Sequence, residues 1–183
     1  MTLIDTSQYL TLSILGRGNH PVLKVQSLDS QQHFALKKII RDDFDHHLSD
    51  LQELMVLSSL SHQNIVKIQG FETKHMLNKV LKKEVYVLYI LLELLECNLC
   101  QEVYDRKGHL KYYTKFEMRR IVNDFLEAVS YLHEKGFAHR DLKPENALRG
   151  SDGRVVLTDF NDSFKSNEIR PTAKTIVGTK GFF

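Results

Sequence analysis

Two stretches of the chain carry apolar residues at helical spacing. In the first, the apolar members are Leu48, Leu51, Met55, Leu57 and Leu60. The second follows Thr114-Lys115-Phe116-Glu117, which has the composition of a helix capping box, and Gly136 stands where a helix commonly stops. Its apolar members are Met118, Ile121, Val122, Phe125, Val129 and Leu132. The spacing predicts two amphipathic helices, with a shorter helix over Leu99 to Arg106 between them.

Extended segments are indicated by a different pattern. The run from Val85 to Leu95 is the most apolar part of the chain, but its eleven residues fall short of the roughly 20 that a membrane span needs. It predicts a buried strand. A turn signal at Gly150 to Gly153 separates two short predicted strands, Ala147 to Arg149 and Val155 to Thr158. The lysine-rich residues 73–84 are interpreted as a solvated loop, with an anionic partner as the alternative.

Composition narrows the function classes only slightly. The 183 residues carry a net charge of +2, which argues against nucleic-acid binding driven by charge. Cys97 and Cys100 have a spacing seen at metal sites, but no second pair accompanies them, so ordinary packing is favoured. No basic-then-apolar leader opens the chain, which favours a cytoplasmic location without excluding the nucleus.

The richest chemistry lies between His139 and Asn146, in the sequence His-Arg-Asp-Leu-Lys-Pro-Glu-Asn, with Asp159 thirteen residues further on. Any one Asp or Asn of this kind is usually a turn or capping residue. Eight residues in order, followed by a spaced Asp-Phe-Asn, resemble the catalytic loop and magnesium-binding triplet of the eukaryotic protein kinases. Asn161 replaces the family's glycine in that triplet.

The resemblance implies a role for each of these residues. Asp141 orients and deprotonates the substrate hydroxyl, while Lys143 reaches the transferring phosphate and indicates the serine/threonine type. Asn146 and Asp159 would hold Mg²⁺, a hard cation that prefers oxygen ligands. ATP and Mg²⁺ are therefore the expected cofactors.

A glycine-containing segment near the start resembles the loop that covers the ATP phosphates. Leu15, Gly16, Gly18 and Leu23 match the family pattern, whereas Pro21 replaces its third glycine. Residues without a β-carbon let backbone amides approach an anion closely. Two glycines in a turn would by themselves indicate only a hairpin.

Lys37 resembles the phosphate-binding lysine of the family's third strand. Strand alternation puts Ala35 on the same face, where the resemblance places it under adenine. Glu53, in the first predicted helix, would be the ion-pair partner of Lys37. The alternatives are a surface lysine on an edge strand and a solvated glutamate, since exposed pairs contribute only about 0 to 1 kcal/mol.

The same resemblance assigns the remaining site residues. Glu93 and Leu95 would offer hinge backbone groups to ATP, and Leu148 also belongs to the ATP site. Thr175, three residues before Gly178, matches an activating phosphorylation position, with Arg140 as its charge partner.

Together these features predict an α+β, bilobal protein-kinase-like fold. Residues 1–95 would form a β-rich N-lobe with its C-helix, and residues 96–183 an incomplete helical C-lobe that ends in the activation segment. The resulting function is ATP-dependent phosphorylation of protein serine and threonine hydroxyls; the alternative is a non-catalytic kinase-like module that binds a nucleotide or a partner. A weak likeness to the Numb-associated kinase group is the only subgroup indication. We expect a protein substrate, and a partner covering the surface that the missing C-lobe would leave exposed.

Overall fold

The computed structural model describes residues 2–16, 20–78, 82–160 and 163–165, without the side chains of residues 52, 53, 56, 78, 164 and 165. The chain divides into two compact units. The first contains Met1–Ser59 and Lys67–Leu94, and the second contains Leu60–Val66 and Leu95–Phe183. The lobe boundary after residue 95 stays a prediction.

An antiparallel five-stranded sheet forms the first unit. Its strands are β1 (Tyr9–Gly16), β2 (Val22–Ser27), β3 (His33–Arg41), β4 (Ile68–Asn78) and β5 (Lys83–Glu93), in the order β1-β2-β3-β5-β4. The inner strand β5 has buried residues on both faces, which explains why it reads as a continuous apolar run. Val25, Leu36 and Leu91 form the centre of this core. The predicted β-rich sheet is confirmed.

One helix, α1 (Phe44–Ser59), packs on β3 and β5, and its Leu54 and Leu57 are buried. The buried Asp50 of α1 accepts two hydrogen bonds from Arg41 of β3, both of 2.8 Å. This bidentate pair fixes the helix on the sheet at one point, because a guanidinium and a carboxylate match in geometry.

The region predicted as a basic loop is partly strand. Residues 73–78 belong to β4, where Lys74 donates to Thr6, pairs with Glu72 and lies over the ring of Tyr89. The loop interpretation was wrong for these residues, because polar side chains on an edge strand hide the period-2 pattern.

An N-terminal strap, residues 2–8, lies along the outer edge of β4. The amide of Ile4 donates to Phe71 O and the amide of Phe71 donates to Thr2 O, each at 3.0 Å. A β-carbon on Gly70 would lie 2.8 Å from Thr2 O and would collide with the side chain of Ile4. Glycine at position 70 therefore permits the close approach.

Within the described residues, the second unit contains two further α-helices and two pairs of short strands. The helices are α2 (Leu99–Gly108) and α3 (Lys115–Glu134); the strands are β6 (Phe137–Ala138), β7 (Ala147–Arg149), β8 (Val155–Leu157) and β9 (Phe164–Lys165). β6 pairs with β9, and β7 pairs with β8. The predicted helices and the β7–β8 hairpin are confirmed.

The capping box of α3 is formed as the sequence predicts. Thr114 Oγ1 accepts from the amide of Glu117, and Glu117 accepts from the amide of Thr114. The hydrogen bonds that the Glu117 carboxylate accepts from the Thr114 amide, from Arg106 and from the Thr114 hydroxyl lower its pKa to about 2. A charged carboxylate at this point also interacts favourably with the helix dipole.

One face of α3 is buried and another is exposed. Ile121, Ala128 and Leu132 are buried, whereas Met118, Val122 and Leu126 are 45, 48 and 62% exposed. Apolar side chains of this helix are therefore accessible to solvent.

Candidate active site

The loop with the densest chemistry lies between β6 and β7. Pro144–Asn146 forms a single 3-10 turn, in which the Asn146 amide donates to Lys143 O at 3.0 Å. Proline suits the first turn of a helix because its fixed φ angle is already helical and its missing N–H is not needed there. The turn directs Asn146 into the unit, where its side chain is buried.

The side chains of Lys143 and Asn146 both bind Asp141. Lys143 Nζ donates to Asp141 Oδ2 at 2.7 Å, and Asn146 Nδ2 donates to the same oxygen at 2.9 Å. Asn146 Nδ2 also donates to the backbone carbonyl of Asp141 at 2.9 Å. The carboxylate is thus held in one orientation by a cation and an amide, which is the preorganisation that a positioned base requires.

His139 also contacts this cluster, through the backbone of Asp141. The Asp141 amide donates to His139 Nδ1 at 3.3 Å, so the ring proton is on Nε2, which donates to Thr158 O at 3.0 Å. The imidazole is buried and lies 4.7 Å from the buried ring of Phe160. One histidine therefore connects the Asp141 backbone to the strand end that precedes Asp159.

Two residues of the site have left-handed backbone. Arg140 has φ 65° and Asp159 has φ 63°. Positive φ is uncommon outside glycine, and such backbone persists only where the surroundings hold it. At Asp159 the preceding amide, that of Thr158, is held by Asn146 O at 2.9 Å.

The donor set suits a magnesium ion. Asn146 uses its amide nitrogen toward Asp141, so its Oδ1 is the atom suited to a cation, and Asp159 supplies carboxylate oxygens. Two protein ligands are enough for Mg²⁺, which keeps several waters and binds phosphate oxygens as well. Within the described part of the chain, no group of three or more His, Cys, Asp and Glu residues forms a metal cage.

The second unit also holds two residues assigned to ATP binding. Leu95 is buried, and Leu148 lies on β7 opposite Val156. The chain after Leu95 runs beside β7, because the Glu96 amide donates to Arg149 O and the Arg149 amide donates to Cys97 O, each at 2.8 Å. This ladder ties the segment that contains Leu95 to the strand that contains Leu148.

In the first unit, Lys37 lies on an inner strand. Its cross-strand neighbours are Val22 and Ile90, and it is buried together with Ala35. The surface-edge alternative for Lys37 is therefore wrong. Few lysines in proteins are this buried, which favours a functional role for Lys37.

The remaining candidates of the first unit line the β1–β2 hairpin and the end of β5. Leu15 and Gly16 end β1, and Leu23 lies in β2. The amide of Glu93 donates to Lys67 O at 3.0 Å, so this amide is already engaged within the first unit. The Pro21 carbonyl accepts from the Lys38 amide, which anchors the hairpin return on β3.

Several predicted residues lie outside the described part. Gly18, Asn161 and Thr175 are among them, as is the side chain of Glu53, although its backbone lies in α1. Arg140 is described and exposed. The Lys37–Glu53 pair and the Arg140–Thr175 pair stay predictions.

Sequence reasoning missed an ion network beside the loop. Glu102 of α2 accepts from Arg149 Nε at 2.9 Å and Nη2 at 3.3 Å, and from Arg106 Nε at 2.9 Å. Arg106 also donates to Glu117 at 2.7 Å, and Arg149 donates to Gly153 O at 2.8 Å. Burial alone would raise the pKa of Glu102, but the two arginines outweigh it and hold that pKa below its ordinary value. The i,i+4 pair was readable from the sequence, whereas the link across 47 residues was not.

Comparison with known proteins gives a consistent result. Residues 9–183 match the protein kinase domain family. The chain is 35% identical to calcium/calmodulin-dependent protein kinase type IV of Mus musculus, over 93% of this chain and 34% of that protein. It is 31% identical to mitogen-activated protein kinase kinase kinase 3 of Arabidopsis thaliana, over 94% and 30%. It is 32% identical to serine/threonine-protein kinase ICK of Rattus norvegicus, over 84% and 23%. The chain thus spans about a third or less of these relatives.

Among the described helices, none combines the length and apolar character needed to cross a bilayer.

Proposed function

We propose that this chain, which belongs to the eukaryotic protein kinase family and resembles its serine/threonine type, transfers the terminal phosphoryl group of ATP to serine and threonine hydroxyls of proteins. The observation that carries the proposal is the cluster at Asp141, where Lys143 and Asn146 hold one carboxylate oxygen. Phosphoryl transfer depends mainly on positioning and on charge stabilisation, and this cluster supplies both.

In this proposal, Asp141 orients the substrate hydroxyl and accepts its proton. Lys143 approaches the transferring phosphate from the same side, because its ammonium already lies against the Asp141 carboxylate. Asn146 keeps Asp141 in place through its amide and would hold Mg²⁺ through its carbonyl oxygen, together with Asp159. The bound ion would neutralise charge on the phosphate oxygens.

The residues proposed to bind the nucleotide follow from the family resemblance. Lys37 would bind the phosphates and Glu53 would orient Lys37. The residues proposed to contact ATP are Leu15, Gly16, Gly18, Leu23, Ala35, Glu93, Leu95 and Leu148. Arg140 would bind a phosphate on Thr175 in a regulated form of the protein. The cytoplasmic or nuclear location stays a prediction.

The test is phosphate transfer from ATP to a generic serine/threonine peptide and to a tyrosine peptide. We expect transfer to the first peptide only, with a thermal shift on addition of ATP and Mg²⁺. A thermal shift without transfer would support a nucleotide-binding module and overturn the catalytic proposal. The absence of both transfer and shift would overturn nucleotide binding as well.

A control substitution tests whether the removal of any carboxylate in this unit abolishes transfer, or only the removal of the Asp141 carboxylate. Asp152→Asn changes an exposed carboxylate in the β7–β8 turn of the same unit. Transfer should survive this change. Loss of transfer in Asp152→Asn would show that the assay responds to structural damage rather than to the site.

A further inference from the structure

Three rings stack in the first unit, at the place where α1 meets the sheet. The ring of Tyr86 in β5 stacks with two imidazoles: that of His47 in α1, with centroids 5.3 Å apart and planes 23° apart, and that of His75 in β4, at 4.7 Å and 10°. Phe44, at the start of α1, meets the same ring edge-on at 5.5 Å. These four residues, which we call the ring stack, join α1 to β4 and β5.

His47 is buried in an environment suited only to its neutral form. His47 is 6% exposed, and its buried Nδ1 has no hydrogen-bond partner among the described residues. A proton on that nitrogen would be a buried donor without an acceptor, which is costly. Burial lowers the pKa of His47, and the nearby charge of Asp50 opposes this shift without cancelling it.

The charges around the ring stack do not provide a partner for a protonated His47. On α1 and β3, Asp50 is occupied by its two hydrogen bonds from Arg41, whose guanidinium also lies 3.3 Å from His20 Nε2. On the strand side, Glu84 of β5 lies 3.2 Å from His75. Protonation of His47 would therefore add a second cation near Arg41, while the carboxylate of Asp50 is already paired with Arg41.

We propose that the ring stack is a proton-operated latch, in which protonation of His47 releases α1 from the sheet. The neutral imidazole packs flat on Tyr86 and keeps the helix docked. In the imidazolium, the proton on Nδ1 has no acceptor among the described residues. The free energy of the docked state therefore rises relative to that of states in which His47 reaches water. Because α1 includes Glu53, opening of the latch would also remove the proposed partner of Lys37, a consequence that rests on the proposed function.

The direction of the pH effect follows from linkage. A histidine whose pKa is lower in the folded protein binds its proton more readily when it is released, so the released state binds more protons. The contribution of His47 to docking is complete above its ordinary pKa of 6.5 and is lost as the pH falls below that value. Docking of α1 is therefore strong at neutral pH and weakens under mild acid.

Hydrogen exchange of α1 peptides measures this release directly, without use of kinase activity. After correction for the intrinsic pH dependence of exchange, we expect the rate for α1 to rise about threefold or more between pH 7.5 and pH 5.5. His47→Phe keeps an aromatic ring on Tyr86 and removes the titrating nitrogen, so it should abolish the rise. His46→Gln, a change at the neighbouring exposed histidine, should retain it.

Two results would overturn the latch. One is a pH-dependent rise that is the same in His47→Phe and in the unsubstituted protein; the other is no rise in the unsubstituted protein. If His47→Phe does not fold, an NMR titration of the His47 ring in the unsubstituted protein decides the question. A pKa below 6.5 supports the latch, and a pKa at or above 6.5 contradicts it.

Discussion

Replacement of Glu102 by alanine should destabilise the unit that contains the candidate active site. Glu102 is 15% exposed and accepts hydrogen bonds from both Arg149 and Arg106. Arg149 is 14% exposed, so the substitution leaves a nearly buried guanidinium without its carboxylate. Arg106 suffers less, because it keeps its 2.7 Å contact with Glu117.

The size of the destabilisation depends on how far water can solvate the guanidinium of Arg149 once Glu102 is removed. Removing one partner of a fully buried pair costs about 3 to 5 kcal/mol. Arg149 retains some exposure and its hydrogen bond to Gly153 O, so we expect Glu102→Ala to lower the free energy of unfolding by about 2 to 3 kcal/mol. At a denaturant slope near 2 kcal/mol per molar, the urea midpoint would fall by about 1 M.

Urea unfolding, followed by far-UV circular dichroism, measures the shift. Glu127→Ala is the matched control, because Glu127 is an exposed glutamate on α3 with one hydrogen bond, from Gln63. It should change the free energy of unfolding by less than about 0.5 kcal/mol. The double substitution of Glu102 and Arg149 should cost less than the sum of the two single ones, because the residues share one interaction. A Glu102→Ala protein within about 0.5 kcal/mol of the unsubstituted protein would refute this reasoning.

Three further predictions concern other parts of the molecule. Gly70→Val should displace the N-terminal strap, because a β-carbon would lie 2.8 Å from Thr2 O; limited proteolysis within residues 2–8 should accelerate, and an unchanged rate would contradict the contact. The stability of the protein should fall as the pH drops from 4.5 toward about 2, because the charged Glu117 carboxylate stabilises the fold and is lost on protonation. Glu117→Gln should flatten the pH dependence of the thermal-unfolding midpoint in this range. An unchanged pH dependence in this variant would contradict the role given to Glu117. Asn146→Ala should raise the magnesium concentration for half-maximal phosphate transfer by about tenfold or more, and an unchanged requirement would remove Asn146 from the proposed metal site.

Local patterns in the sequence predicted the elements with strong periodicity. The capping box at Thr114 and the spacing of apolar residues were together sufficient to predict α3, because each pattern depends on residues within a few positions of one another. The end of the apolar run was less well predicted, since β5 stops at Glu93 rather than at Leu95. Strand ends depend on partners, and here the last pairing is between Glu93 and Phe34.

Long-range contacts could not be predicted in the same way. The lysines of residues 73–84 favour a loop in the sequence, yet within β4 Lys74 packs against Tyr89 and His75 against Tyr86. The pairing of Glu102 with Arg149 likewise depends on how α2 meets β7. At the candidate site the motif predicted which residues matter. The hydrogen bonds between Asp141 and its neighbours required the folded loop.

The central claim is that Asp141 acts as the base of a phosphoryl-transfer site, and single-turnover transfer from ATP to a serine/threonine peptide tests it most directly. Asp141→Asn keeps the size of the side chain but removes its ability to accept a proton. At saturating ATP and Mg²⁺, we predict a fall in the transfer rate of about 10² to 10⁴, with ATP affinity little changed. A rate for Asp141→Asn within about threefold of the unsubstituted protein would contradict the account.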